Sequence, residues 1–217
     1  MKHKLNIDTW ARKEHFNFFK NFEEPFYGVV VNIDCTRAYA YAKDNGISFF
    51  LYYLHKSLTA INELEPFKCR IYEDEVYIYD RINAGPTIGR ANGTFGFGYI
   101  DFHPSLDTFI AGSKKEIERV QSTTTLFAPK LDDDIVHYSA MPWINFTSLS
   151  HARSFSFPDS CPKISFGKMT EENGKKSMPV SLHVHHALVD GLHVGQYYDL
   201  FQELMNSVTK PLLFPLQ

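Results

Sequence analysis

Apolar and polar residues alternate from Val180 to His185, the alternation breaks at His186, and apolar residues then recur at helical spacing through Tyr197, Leu200, Phe201 and Leu204. Period two predicts a strand with Val180, Leu182 and Val184 on one face and Ser181, His183 and His185 on the other, and the 3.6 period after His193 predicts a helix. Between them Asp190-Gly191 predicts a turn, the glycine being free to take positive φ. A histidine is thereby held at the end of a rigid strand.

The rest of the chain divides in the same way. A helix carries Trp10, Arg12, Phe16, Phe18, Phe19 and Phe22 and ends before Glu23-Glu24-Pro25. A strand follows over 26–33, then a short helix over 35–44 closed by Asn45-Gly46, then a buried apolar helix over 49–61 capped by Ser48. Segments 68–72 and 76–80 form a hairpin around Glu73-Asp74-Glu75, and a glycine-rich turn over 89–93 leads into a strand over 94–99. An amphipathic helix covers 106–120, and a polar, irregular connection runs over 121–134. Strands follow over 135–140 and 143–146, separated by Met141-Pro142, and a long hairpin of 163–169 with 179–185 delivers His185-His186. No linker, repeat or low-complexity stretch divides the chain, which predicts one domain over 1–217.

Composition narrows the partners. A net charge of −3 with scattered Lys and Arg gives no electrostatic footprint for nucleic acid. Three widely spaced cysteines, Cys35, Cys69 and Cys161, argue against a disulfide framework and for a reducing compartment. No apolar run approaches the ~18 residues of a membrane span, and the first residues carry no signal-type apolar region, so the expectation is a cytoplasmic protein without membrane contact. Nineteen Phe and twelve Tyr exceed what one small core needs, which points to an aromatic pocket or a subunit interface.

The chemistry concentrates in residues 183–193, where four His and one Asp fall together. They read as ordinary hydrogen-bonded residues, as a metal site using His183 and His185 on one strand face, or as a general base with Asp190 fixing the turn. No HExxH or CxxC supports a metal, and neither glycine cluster matches a phosphate-cradling loop leading into a helix. Residues 183–193 alone do not choose among the three.

Further motifs add a resemblance. His185-His186-Ala-Leu-Val-Asp190-Gly191-Leu-His193 resembles the HHxxxDG signature of the type A chloramphenicol acetyltransferases, a signature shared with other coenzyme A-dependent acyltransferases. Trp10-Ala-Arg12-Lys-Glu-His-Phe16 is similar to the family's N-terminal motif, and Ser139-Ala-Met-Pro-Trp143 to its S-A-x-P-W strand. The resemblance spans the chain and implies a coenzyme A-dependent acyltransferase fold: α/β, a two-layer sandwich of a mixed sheet with helices on one face. It implies His186 as general base, Ser139 as the hydroxyl that stabilises the oxyanion, and Arg12 with Asp190 as a buried ion pair. Phe18, Phe19, Tyr27, Phe95 and Ser165 are the implied lining of the acceptor pocket. The co-substrate would be acetyl-CoA, without a metal, and the assembly a homotrimer in which the base of one subunit faces the acceptor pocket of the next.

The chain also departs from the family. The stretch from Leu149 to Phe157 is rewritten, bringing His151 and Arg153 where apolar contacts are usual; Met169 replaces a tyrosine, and Phe19 stands where drug-inactivating members commonly have Tyr. The expected activity is O-acetylation of chloramphenicol or a related small hydroxyl compound. The alternatives are an acetyltransferase for a different, non-drug acceptor, or a catalytically weak coenzyme A-binding trimeric scaffold; a lipoyl transferase is a more distant reading.

Overall fold

The computed structural model describes residues 1–208 other than 131 and 157. The end of the predicted 1–217 domain, Leu131 in the predicted connection 121–134 and Phe157 at the close of the rewritten stretch lie outside the described residues.

The elements follow in the order β1 (Lys2–Lys4), α1 (Lys13–Phe19), β2 (Phe26–Asp34), α2 (Thr36–Asp44), α3 (Phe49–Glu63), β3 (Cys69–Tyr72), β4 (Glu75–Tyr79), β5 (Asn83–Gly89) and β6 (Phe95–Phe97). Then come α4 (Leu106–Ser122), β7 (Ile135–Ala140), β8 (Lys163–Phe166), β9 (Thr170–Glu172), β10 (Lys175–His185) and α5 (Gly191–Asn206). The main sheet has the order β2-β10-β8-β7-β5-β6, with β9 paired to β10, and a small sheet has the order β1-β4-β3. Strands β5, β7 and β8 run parallel, while β10 pairs antiparallel with both β8 and β2, so the sheet is mixed as expected.

One face of this sheet is apolar. Val136, Tyr138, Ile164, Phe166, Val180, Leu182 and Val184 are buried beneath the helices. Helix α3, apolar nearly all round and capped by Ser48, contributes Leu51, Tyr53, Leu54, Leu58 and Ile61 to that core. Ser57 of α3 hydrogen bonds the hydroxyls of Tyr138 at 3.1 Å and Tyr197 of α5 at 2.7 Å, satisfying three polar groups that would be costly to bury alone. The opposite face carries the polar members of the alternation. There Ser139, Ser165 and Ser181 stand in one cross-strand row, and His137, Lys163 and His183 in the next. The strand period thus separates core from chemistry.

Several expected boundaries change. Strand β5 lies where only a lead-in to a turn was expected; Pro86 argues against a strand, yet its carbonyl still accepts from the Gly98 N–H at 2.8 Å. Residues 143–146 are not a strand. Ile144 N–H closes a turn on the Met141 carbonyl at 3.1 Å, and Trp143 and Ile144 are exposed while Phe146 is buried. The strand expected over 94–99 shortens to β6. The hairpin tip is Asn173-Gly174, both at positive φ (49° and 77°), the turn that suits the twist of antiparallel strands. Asp190-Gly191 is not a positive-φ turn: Asp190 is the N-cap of α5 and Gly191 its first residue.

Candidate active site

His186 is the first residue beyond β10, and its N–H donates to the Pro25 carbonyl at 2.8 Å, tying the strand end to the start of β2. Its imidazole stacks on Phe19 at 3.9 Å between ring centroids and leans on Tyr27 at 4.7 Å. Nδ1 is enclosed with no partner among the described residues, which leaves Nε2 as the nitrogen able to reach a substrate. Two aromatic rings therefore fix the imidazole plane. Burial pushes the Tyr27 phenol up to about 12, so it stays protonated at neutral pH.

Beneath the ring lies the expected ion pair. Arg12 Nη1 pairs with Asp190 Oδ2, and Arg12 Nη2 donates to the His186 carbonyl at 3.4 Å. The side chains are 13% and 33% exposed, so the pair is part-buried rather than sealed. Asp190 Oδ1 accepts from the N–H groups of Leu192 at 3.1 Å and His193 at 3.4 Å, and His193 Nδ1 accepts from the Asp190 N–H at 3.2 Å, a reciprocal cap of α5. Burial alone would raise the Asp190 carboxyl; Arg12, His193 and the capping N–H outweigh it and hold the carboxyl below its usual range. Sequence order thus hides one unit: N-terminal Arg12 locks the turn that carries His186.

Ser139 lies elsewhere. On β7 it pairs with Ser165 of β8, which pairs with Ser181 of β10. His186 lies just beyond the end of β10, five residues after Ser181. That amounts to roughly 17 Å along the strand direction and about 10 Å across two strands, so the two groups are about 20 Å apart within one chain. The Ser139 hydroxyl hydrogen bonds the Thr87 hydroxyl at 3.2 Å, while the Ser165 and Ser181 hydroxyls are fully buried with no partner among the described residues. Thr87 was not anticipated, because β5 was not.

The implied lining residues divide accordingly. Phe19 and Tyr27 pack on His186, and Ser165 adjoins Ser139. Phe18, 64% exposed, packs on Phe19 and Phe22 and faces outward. Phe95, 49% exposed, leans on Phe97, and Phe97, Tyr99 and Phe127 line a cleft at the His137 end of β7. That cleft measures about 760 Å³.

His183 and His185 each have a hydrogen-bond partner. His183 Nε2 donates to the Leu149 carbonyl at 3.0 Å and lies over Gly28, where a Cβ would come within 2.2 Å of the ring. His185 Nδ1 accepts from the Ala187 N–H at 3.3 Å, and burial pulls its pKa down to about 4. Among the described residues one metal-type cluster exists, His137, Asp159 and Cys161, with donor atoms within 4.8 Å of one another. The Lys163 ammonium already pairs with Asp159, which disfavours a second cation there. Arg153 pairs with Glu24 and covers the Phe26 ring at 3.9 Å, and His151 meets His183 edge-on at 4.7 Å. The rewritten stretch therefore does bring charged and polar groups to this side of the sheet.

A mixed sheet with helices on one face, a histidine at the end of an antiparallel strand and a serine row on the polar face define a coenzyme A-dependent acyltransferase fold. The dihydrolipoamide acetyltransferase of Azotobacter vinelandii shares that fold at a TM-score of 0.65 and 16% identity, over 90% of this chain and 86% of that one. A family model described as chloramphenicol acetyltransferase matches residues 2–202, and this chain belongs to that family. It is 28% identical to chloramphenicol acetyltransferase 3 of Escherichia coli, over 95% of this chain and 98% of the relative, and 27% identical to the chloramphenicol acetyltransferase of Proteus mirabilis, over 95% of each. A solved chloramphenicol acetyltransferase superposes with a TM-score of 0.88 at 30% identity, covering 94% of this chain and 100% of that one.

Proposed function

We propose that the protein is an acetyl-CoA-dependent O-acetyltransferase acting on chloramphenicol or a related small hydroxyl compound. The observation that carries this reading is the His186 imidazole, clamped between Phe19 and Tyr27 at a strand end with Nε2 left to react. An alcohol attacking a thioester must lose its proton as the new C–O bond forms, and a neutral imidazole suits that task at neutral pH. His186 takes the proton, the carbonyl oxygen becomes an oxyanion that accepts a hydrogen bond from the Ser139 hydroxyl, and collapse breaks the C–S bond. The leaving thiolate recovers the proton from the imidazolium, so atoms and charge balance without an acyl-enzyme. Burial also pushes Cys35 and Cys69 up to about 12 and Cys161 up to about 11, so none is a thiolate nucleophile at neutral pH.

The separation of Ser139 from His186 favours a site shared between copies, His186 from one and Ser139 from the next. The exposed apolar residues Phe18, Phe22, Val29 and Phe155 fit burial against a second copy, and a cyclic homotrimer is the arrangement proposed. The absence among the described residues of a helix long and apolar enough to cross a membrane is compatible with the proposed cytoplasmic location.

The test follows coenzyme A thiol release from acetyl-CoA with and without chloramphenicol. Chloramphenicol-dependent release is expected, with kcat lower by about 10²–10⁴ in His186→Ala and the melting temperature retained. Release without any alcohol dependence, or tight coenzyme A binding with no release on chloramphenicol or other alcohols, would favour the weakly catalytic scaffold instead.

A further inference from the structure

Every hold on the His186 ring hangs on one connection. Phe19, which stacks on the imidazole at 3.9 Å, ends α1, and Tyr27, which leans on it at 4.7 Å, is the second residue of β2. Pro25, whose carbonyl accepts the His186 N–H at 2.8 Å, lies between them. Residues 20–25 form neither helix nor strand, and Phe22, Glu23 and Glu24 are exposed. The base is therefore only as well placed as this connection.

Its fastening comes from far along the chain. Glu24 Oε1 accepts from the Phe26 N–H at 3.0 Å and pairs with the Arg153 guanidinium. The same guanidinium covers the Phe26 ring at 3.9 Å, and Phe26, which faces His185 in the β2–β10 register, meets the His185 ring edge-on at 5.5 Å. Arg153 thus grips the residues on either side of buried Pro25. At the other end of the connection, Lys20 pairs at 2.6 Å with Asp74, an exposed carboxylate that water screens.

Stability does not account for the Arg153 contacts. An ion pair whose carboxylate is half exposed contributes little, and the Arg153 Nε is enclosed with no partner among the described residues, which is costly. What the contacts supply is position. The Arg153 side chain is only 10% exposed and rests on an aromatic face, so it is a rigid anchor for a segment that has no regular structure of its own.

We infer that Arg153 is a positioning residue for His186: by clamping Glu24 and Phe26 it sets the Pro25 carbonyl and keeps the imidazole between Phe19 and Tyr27. The effect on rate rests on the O-acetyltransferase reading, in which a base displaced by about 1 Å can cost as much as 10²-fold.

The experiment compares native protein with Arg153→Met, Arg153→Lys, Glu24→Gln and the double variant Glu24→Gln/Arg153→Met, all as full chains. It follows thiol release with chloramphenicol and the His186 Cε1–H magnetic resonance signal, identified by its absence from His186→Ala. Arg153→Met is expected to lower kcat about tenfold with KM for acetyl-CoA within about twofold, and to move the signal downfield as the Phe19 stack loosens. Arg153→Lys keeps a cation over Phe26 and is expected to recover kcat to within about threefold of native. The double variant is expected to lose no more than Arg153→Met, because both changes release one clamp. Native kcat with an unmoved signal in Arg153→Met overturns the inference. A lower kcat with an unmoved signal also overturns it, since Arg153 would then act without moving the ring. Where Arg153→Met does not fold, Glu24→Gln carries the same test, with a loss of about threefold and a downfield shift expected. If native protein releases no thiol with chloramphenicol or any other alcohol, the acetyltransferase reading falls, and the signal by itself decides whether Arg153 holds the ring.

Discussion

At the scale of single residues, the proposed mechanism gives His186 the proton to move and its neighbours the task of holding the ring ready. Ser139→Ala is expected to lower kcat by about 10²–10³, the usual loss when one oxyanion donor is removed. Thr87, hydrogen bonded to Ser139 at 3.2 Å, is placed to orient that hydroxyl. A hydrogen bond of ordinary net strength is worth roughly 0.5–1.5 kcal/mol, so Thr87→Val is expected to lower kcat about two- to tenfold with KM for acetyl-CoA unchanged, and Thr87→Ser to restore it. Equal steady-state constants in native protein and Thr87→Val would remove that role. Of these residues, His186, Ser139, Arg12 and Asp190 were legible because they lie in contiguous motifs. Thr87 was not: it comes from a separate segment, and only the packing of β5 against β7 places its hydroxyl beside Ser139.

At the scale of elements, the start of α5 joins stability to catalysis. Asp190 both caps the helix and pairs with Arg12. Asn is as good an N-cap as Asp, so Asp190→Asn isolates the charge interaction and is expected to cost roughly 1.5–3 kcal/mol in urea unfolding. Asp190→Ala also loses the cap and is expected to cost about 1 kcal/mol more. Equal losses in the two variants would mean that capping contributes nothing. Here the sequence reading located the residues but mistook the device, because Asp-Gly serves equally as a turn pair and as an N-cap with the first helical residue. What separates the two is His193, whose ring accepts the Asp190 N–H and closes the reciprocal cap. The helices and the alternating strands β7 and β10 were legible from their periods. Strand β5 was obscured by Pro86, and the supposed strand over 143–146 is a turn that exposes Trp143 and Ile144.

At the scale of the whole molecule, buried neutral histidines set the acid limit of the fold. His55, whose Nε2 donates to the His103 carbonyl at 3.0 Å, and His185 are both held down to about 4, in each case mainly by burial. Their unfolded counterparts titrate near ~6.5, so between about pH 6.5 and 4 the unfolded chain binds the extra protons and stability falls as pH falls. Each of the two contributes at most about 1.4 kcal/mol per pH unit in that window. Urea midpoints measured from pH 7.5 to 4.5 are expected to decline below about pH 6.5, and a shallower decline in His55→Gln would identify one source. The two-layer fold and its mixed sheet follow the reading made from the chain, whereas the distance between Ser139 and His186 emerges only from register. That distance leads to the central claim, that the active site joins His186 of one copy to Ser139 of another. The most direct test co-refolds His186→Ala with Ser139→Ala, each inactive alone, and measures thiol release by the mixture. In a cyclic assembly with heterologous interfaces, random mixing of equal amounts regenerates native sites at about a quarter of the interfaces, and activity near that fraction of the native protein is the expected result. A mixture as inactive as its components, from subunits shown to have exchanged, would contradict the shared site and place His186 and Ser139 in separate roles.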